Sequence, residues 1–322
     1  MPDARCHKTD LRPPASGLRL LALAGPTAVG KSEIALLLAE QIGGEIISVD
    51  SMQVYRGLDI GTAKPSAEDR ARVPHHLIDV ADLTEPFDAA KFVQLAHRAV
   101  AEIQSRGRVP ILCGGTGLYF KAFLEGLGEA PPADAKLRTE LEATPVADLL
   151  RELAERDPAT YEKIDRQNPR RVIRAIEVIR LTGKPFSAQR AVWNAEGRMK
   201  NEELIFALSR KPSDLQQRIN DRVDDMFRRG LVAETGQLLQ RGLAENKTAM
   251  QALGYRQVIE HLQGRRSLTE TLELVKIRTR QFAKRQMTWF RRQMNLEWIE
   301  VKSGDAASNA AALVKARIEK PG

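Results

Sequence analysis

Gly25-Pro26-Thr27-Ala28-Val29-Gly30-Lys31-Ser32 follows an apolar run at residues 18–24 and precedes a helical pattern at residues 33–41. Strand, glycine loop and helix in this order are the context a phosphate-binding P-loop requires. The glycines let backbone amides face a chain of phosphates. The helix N-terminus adds a partial positive charge and Lys31 a full one. Ser32 is placed to reach a magnesium ion bridging the phosphates. Every residue from Gly25 to Ser32 is therefore a candidate diphosphate-binding residue, and Ser32 is the candidate metal contact. The motif announces a pyrophosphate or polyphosphate without saying which bond breaks.

Outward from this loop, strands and helices alternate. Strands are expected at residues 18–24, 45–49 and 109–113, with a short strand or extended loop at 74–80. Helices are expected at 31–41, 89–105 and 118–125. This βαβα order implies a parallel sheet with helices on both faces. Ligands of such sheets gather at the carboxyl ends of the strands. The P-loop, the turn at Asp50 and the turn Gly114-Gly115-Thr116-Gly117 all lie at such ends and are expected to converge on one site.

After Gly126 the character changes. Residues 129–134 form a proline-bearing linker, and 134–183 read as helices broken at Asp157-Pro158 and Asn168-Pro169. The apolar run 204–208 returns a strand to the sheet. Helices are expected at 215–229, 232–240, 255–263 and 268–294, then a strand at 295–301 and a helix at 306–320. The expected fold class is α/β, a P-loop NTPase-like parallel sheet core with a helical insertion domain. The core comprises residues 18–128 and 201–322, the insertion 129–200, and a disordered extension 1–17.

Composition narrows the function classes. No apolar stretch approaches the ~20 residues needed to span a membrane, and residues 1–17 have no apolar h-region of a secretory signal. Of two cysteines, Cys6 lies in the extension and Cys113 in an apolar strand. Neither belongs to a ligand-spaced set, which excludes a structural zinc site and a disulfide scaffold and fits a reducing cytoplasm. Cys113 reads as a small buried hydrophobe. His75 and His76 with Asp79 lack further ligands at useful spacing, so they read as loop or core residues. The formal net charge of +8 permits a polyanionic partner. No coiled-coil or strand-exchange signal is present, so a monomer is expected.

Two features carry chemistry besides the P-loop. An apolar strand delivers Asp50 beside the phosphate loop, which suits a metal ligand or a general base. Gly114-Gly115-Thr116-Gly117 offers amides and the Thr116 hydroxyl as a second wall. Basic residues cluster twice. Arg166, Arg170, Arg171, Arg174 and Arg180 lie on the insertion. Lys276, Arg278, Arg280, Lys284, Arg285, Arg291 and Arg292 lie in a stretch without acids, among Phe282, Trp289 and Phe290. Beside a phosphate-handling core, such clusters point to a nucleic-acid backbone.

The ordered set of segments resembles the tRNA dimethylallyltransferases (isopentenyl-diphosphate:tRNA isopentenyltransferases). It comprises the P-loop, residues 47–55, Gly61-Thr62-Ala63-Lys64-Pro65 and Pro74-His75-His76-Leu77-Ile78-Asp79. It continues with Gly114-Gly115-Thr116-Gly117-Leu118-Tyr119, Asn168-Pro169-Arg170-Arg171, Arg174-Ala175-Ile176-Glu177 and Thr182-Gly183-Lys184-Pro185. It closes with Gly254-Tyr255-Arg256-Gln257 and Lys284-Arg285-Gln286-Met287-Thr288-Trp289-Phe290-Arg291. Cys113 stands where the family often has valine. No zinc finger of the kind found in longer eukaryotic members follows, so the bacterial type is the nearer match.

The resemblance implies transfer of a dimethylallyl group from dimethylallyl diphosphate to the exocyclic amine of the adenosine just 3′ of the anticodon. The products would be isopentenyladenosine and pyrophosphate, with Mg2+ as cofactor and a tRNA anticodon stem-loop as partner. The target base would be extruded into a pocket. Asp50 would accept a proton from the amine; Thr27, Lys31 and the loop amides would stabilise the leaving group. By family analogy, Thr116 and Arg138 contact tRNA near the target base. The same analogy assigns tRNA contacts to Asp50-Ser51-Met52-Gln53, Arg170-Arg171-Val172-Ile173-Arg174, Gln251-Ala252-Leu253-Gly254-Tyr255-Arg256 and the run from Lys284 to Arg291. The rival readings are a small-molecule or nucleotide kinase, which shares the P-loop and a nearby acid, and a non-catalytic RNA-binding P-loop module.

Overall fold

The computed structural model describes residues 20–128, 130–189 and 203–319. The extension at 1–17, Cys6, residues 18–19 of the first strand, and Lys320 of the last helix fall outside them, as do 190–202 at the end of the insertion.

β1 (Leu20–Ala24) is buried throughout and runs into the P-loop, from which α1 (Lys31–Ile42) leads to β2 (Gly44–Val49). Next come α2 (Ala67–Arg72), a minimal β3 (His75–His76), α3 (Ala89–Ser105), β4 (Val109–Gly114) and α4 (Gly117–Glu125). The helices α5 (Ala135–Ala143), α6 (Val146–Arg156), α7 (Pro158–Lys163), α8 (Pro169–Thr182) and α9 (Phe186–Gln189) follow. The chain then forms β5 (Glu203–Ser209), α10 (Pro212–Arg228), α11 (Leu231–Leu239) and a 3-10 turn at Ala249–Gln251. It closes with α12 (Tyr255–Leu262), α13 (Leu268–Gln293), β6 (Glu297–Glu300) and α14 (Ala307–Ile318).

All six strands form one sheet in the order β3-β2-β4-β1-β5-β6, and every pairing is parallel. A parallel sheet is covered on both faces, so its strands read as continuous apolar runs. β1, β2 and β4 are buried at every position for this reason. α1 buries Ile34, Ala35 and Leu38 in a core that also takes Ala310, Ala311 and Val314 of α14. The small alanines let the two helices approach closely.

The described residues from 122 to 189 form one compact unit and the remaining described residues the other. The helical unit has its own core, built from Leu141, Leu149, Leu153, Val172, Ile176 and Ile179. Its helix starts are written locally. Asp134 accepts the Leu137 N–H at 2.7 Å, and Asp157 accepts the Thr160 N–H at 3.1 Å ahead of Pro158. Side-chain caps of this kind satisfy backbone donors that the helix itself leaves unpaired.

Candidate active site

The register of the sheet assembles the site. Gly114 of β4 lies opposite Ala24 of β1 on one side and Val49 of β2 on the other. The P-loop, Asp50 and Gly115-Thr116 therefore leave the sheet side by side at its carboxyl edge, as the strand pattern predicts. Thr116 stitches two of these exits together. Its N–H donates to the Val49 carbonyl at 3.2 Å, and its hydroxyl accepts the Ser51 N–H at 3.2 Å.

The P-loop is braced from behind. Arg218 on α10 donates to the Ala28 carbonyl at 3.0 Å, and Arg210 donates to the Val29 carbonyl at 2.9 Å. Lys31 Nζ folds back onto the Pro26 carbonyl at 2.7 Å. Burial pushes the Lys31 ammonium down to about 8, with Arg222 pushing the same way and Cys113 and Asp50 opposing. Gly30, Lys31, Ser32, Arg218 and Arg222 line a cavity of about 380 Å³. Cys113 is buried at the end of β4, and burial pushes its thiol up to about 11.

A second cavity, about 300 Å³, opens beside the first and is lined by Thr27, Asp50, Met52, Thr116 and Arg222. Val223, Met226, Val275 and Phe282 give it an apolar wall. Asp50 Oδ1 accepts the N–H groups of Met52 at 2.8 Å and Gln53 at 3.3 Å, while Oδ2 takes no hydrogen bond among the described residues. One carboxylate oxygen thus fixes the side chain and the other is free for chemistry. Arg222 lines both cavities, and burial lowers its pKa against the pull of Asp50. Sequence reasoning missed Arg222, Arg218 and Arg210. In α10 the arginines alternate with Asp221, Asp224 and Asp225, so no run of like charge marks them; the spacing of Arg218 and Arg222, one turn apart, was the available signal.

The remaining expected contacts divide by exposure. Lys284, Arg285, Thr288 and Arg291 on α13 are exposed, as are Gln251 and Arg256. Tyr255 is buried instead. Its hydroxyl donates to Glu234 at 2.7 Å and accepts the Gly61 N–H at 3.2 Å. Glu234 also accepts the Ile60 N–H at 2.8 Å, so Tyr255 and Glu234 together anchor the loop that ends in Thr62. Phe290 is buried edge-on to Phe120, with ring centroids 6.0 Å apart. The Gln53 amide is engaged internally, accepting from Ser48 Oγ at 2.8 Å and donating to the Thr62 carbonyl at 3.2 Å. Gln286 and Ala252 are buried as well.

In the helical unit Arg170 and Arg171 are exposed, whereas Val172 and Ile173 belong to its core. Arg138 and Arg174 converge on the wholly buried Glu177, at 2.6 and 2.7 Å. The side chains of Val172, Ile173, Tyr255 and Phe290 thus turn inward and hold their neighbours in place, and in these stretches it is the exposed residues that present side chains at the surface. His75, His76 and Asp79 are all partnered, by the Val73 carbonyl, Glu45, and Lys64 with Arg70 respectively. Among the described residues no cluster of His, Cys, Asp and Glu could hold a metal, and no helix is long and apolar enough to cross a membrane.

The family model described as IPP transferase matches residues 53–293. The tRNA dimethylallyltransferase 1 of Trichlorobacter lovleyi is 47% identical over 298 residues, covering 91% of this chain and 97% of that protein. The tRNA dimethylallyltransferase of Geobacter sulfurreducens is 46% identical, covering 88% of this chain and 93% of that one. Among solved structures, the full-length tRNA isopentenylpyrophosphate transferase from Bacillus halodurans superposes with a TM-score of 0.67 at 40% identity, covering 93% and 96% of the two chains. A eukaryotic dimethylallyltransferase acting on tRNA superposes with a TM-score of 0.77 at 29% identity, covering 94% of this chain and 80% of that one.

Proposed function

Because this chain belongs to the IPP transferase family and is a transferase that prenylates tRNA, we propose that its two adjoining cavities divide that reaction between them. The cavity at Lys31 and Ser32 takes the diphosphate of dimethylallyl diphosphate. The cavity at Asp50 takes the dimethylallyl chain, against Val223, Met226 and Phe282, and the extruded adenine of the nucleotide 3′ of the anticodon. The observation that carries this reading is Arg222, a cation lining both cavities between a phosphate loop and a strand-end carboxylate.

The exocyclic amine of adenine forms a bond to C1 of the dimethylallyl group. The C1–O bond breaks, its electron pair leaves on pyrophosphate, and the amine proton passes to Asp50. Negative charge grows on the leaving group during C–O cleavage. Lys31, Arg222 and the loop amides are fixed where that charge develops, so they need no reorganisation as it appears. Thr116 and Met52 border the acceptor. The exposed Lys284, Arg285 and Arg291, together with Arg170 and Arg171, hold the phosphate backbone, which positions RNA without choosing the base.

Magnesium fits this cavity through the substrate. Ser32, Glu33 and Asp221 are among its lining residues, and a hard ion of this kind binds through few protein oxygens plus phosphates. When bound, it neutralises charge on the diphosphate.

Incubation with an anticodon stem-loop and either dimethylallyl diphosphate or ATP tests the reading. The RNA is expected to gain the mass of one dimethylallyl group with the prenyl donor alone. ATP hydrolysis, or phosphorylation of an acceptor, without prenyl transfer would overturn it.

The lowered pKa of Lys31 adds a pH signature. The ammonium binds the diphosphate and the neutral amine does not. Since kcat/KM reports the free enzyme, kcat/KM for the donor should fall as pH rises through about 8. Lys31→Arg keeps its charge over this range and should flatten that limb. A wild-type profile that stays level there would mean that Lys31 keeps its proton across this range.

A further inference from the structure

Gln286 lies within the basic stretch of α13, yet its side chain is buried and turned toward the sheet. Its Oε1 accepts the Thr27 N–H at 2.9 Å and its Nε2 donates to the Gly115 carbonyl at 2.9 Å. One amide therefore bridges the first residues of the phosphate loop and the second glycine turn, both of which border the acceptor cavity. The approach is close. A Cβ on Gly115 would come within 2.3 Å of Gln286 Nε2, so only glycine lets the amide close on that carbonyl. One turn further along α13, Trp289 packs on Gly117, where an added Cβ would come within 2.1 Å of the indole. α13 thus grips the Gly114–Gly117 turn twice, and through Gln286 it also hydrogen-bonds the donor loop, whose Ala28 packs against the cluster of Val275 and Ala283.

We propose that Gln286 is a positioning residue that locks the diphosphate loop to the Gly115-Thr116 turn from the RNA-facing helix. Thr116 is bonded in turn to Val49 and Ser51, on either side of Asp50. The Gln286 amide therefore completes a chain of hydrogen bonds from Thr27 to the base that receives the proton. It fixes where the loop begins relative to the carboxylate. Lys284 and Arg285 on the same turn of α13 are exposed, and Arg285 also borders the acceptor cavity over Phe282, so the helix that meets RNA also sets the spacing of the donor loop. A glutamine serving RNA binding alone would need no contact with Thr27. A glutamine that merely filled space would need neither directed hydrogen bond.

The inference rests on the reading of Gly25–Ser32 as the donor cradle. Gln286→Met keeps the volume and removes both hydrogen bonds. In single-turnover prenyl transfer, the KM for dimethylallyl diphosphate is expected to rise about tenfold or more, since each buried group left unpaired carries a sizeable penalty. Stem-loop affinity should fall far less than donor use, although Gln286 also lines the acceptor cavity. An unchanged donor KM in folded Gln286→Met protein overturns the proposal, and so does a loss of RNA affinity matching the loss in donor use.

Lys31→Ala separates the two levels. If it leaves donor KM untouched, the cradle reading fails. If it raises donor KM while Gln286→Met does not, only the lock fails. A measurement on wild-type protein covers the case in which Gln286→Met does not fold. The Thr27 amide proton should exchange slowly with no donor present, because Gln286 already occupies it. Exchange at the rate of an open loop amide rules the lock out.

Discussion

Asp50→Ala is expected to lower single-turnover prenyl transfer by about 10²–10⁴-fold, the range for loss of a positioned general base, with stem-loop affinity nearly unchanged. The amine of adenine is a poor nucleophile, and its attack on C1 generates a cationic nitrogen that must shed a proton. Asp50 is the carboxylate of the acceptor cavity, and it is held there by the Met52 and Gln53 amides through Oδ1. Asp50→Asn is the sharper variant. It can keep the bond from Met52 and so the local turn, but it removes the charge and the proton acceptor. Turnover in Asp50→Asn should fall nearly as far as in the alanine variant. Equal losses of turnover and RNA affinity would make Asp50 a binding residue, and near-normal turnover in Asp50→Asn would end the base role. A metal-ligand role predicts a different pattern, in which excess magnesium restores the asparagine variant. The base role predicts no such recovery.

Much of this site is legible in the sequence because the sheet and its turns are written in local chemistry. β1 and β4 are largely apolar, β2 carries the apolar centre Ile46-Ile47, and each strand leads directly into a turn residue: Gly25, Asp50 and Gly115. Their order then places the P-loop, Asp50 and Thr116 at one edge. What the sequence hides is direction. A motif stretch such as 284–291 names a helix without saying which face looks inward. In α13, Thr279, Ala283, Gln286 and Phe290 are buried at steps of three and four, the helical period. Two of them are polar, so an apolar pattern passes over them. α2 escapes notice for the opposite reason. It buries none of its residues and stands on its Ser66–Asp69 capping box, so it leaves no periodicity to read. Arg222 is hidden because its neighbours on α10 balance its charge, and because its role depends on lying opposite a loop distant in sequence. Tyr255 carries a tRNA contact only by family analogy; the Glu234 contact that claims its hydroxyl is a tertiary fact.

Gly114→Ala should produce the largest loss of stability among single-methyl additions to the sheet, about 3 kcal/mol or more, and can abolish folding outright. A Cβ there would stand 2.1 Å from the Val49 carbonyl oxygen and 2.5 Å from its carbonyl carbon. Both obstacles are backbone, so no side chain can rotate away. Relief requires β2 and β4 to separate at the end of their ladder, where Val49 faces Gly114. That movement is communicated directly to Asp50, the first residue after β2. It also strains the Thr116 N–H bond to the same Val49 carbonyl. Any Gly114→Ala protein that folds should therefore lose turnover more than donor affinity, because the P-loop hangs from β1 and Asp50, the proposed base, from β2. Gly236→Ala is the control. It sits inside α11 with nothing within 4 Å of the added methyl, and alanine is the better helix former by about 0.5–1 kcal/mol. Urea midpoints should then move in opposite directions for the same chemical change. A Gly114→Ala midpoint at or above that of wild type would mean that β2 and β4 do not meet as closely as Val49 and Gly114 require, and the convergence of Asp50 with the phosphate loop would lose its structural basis.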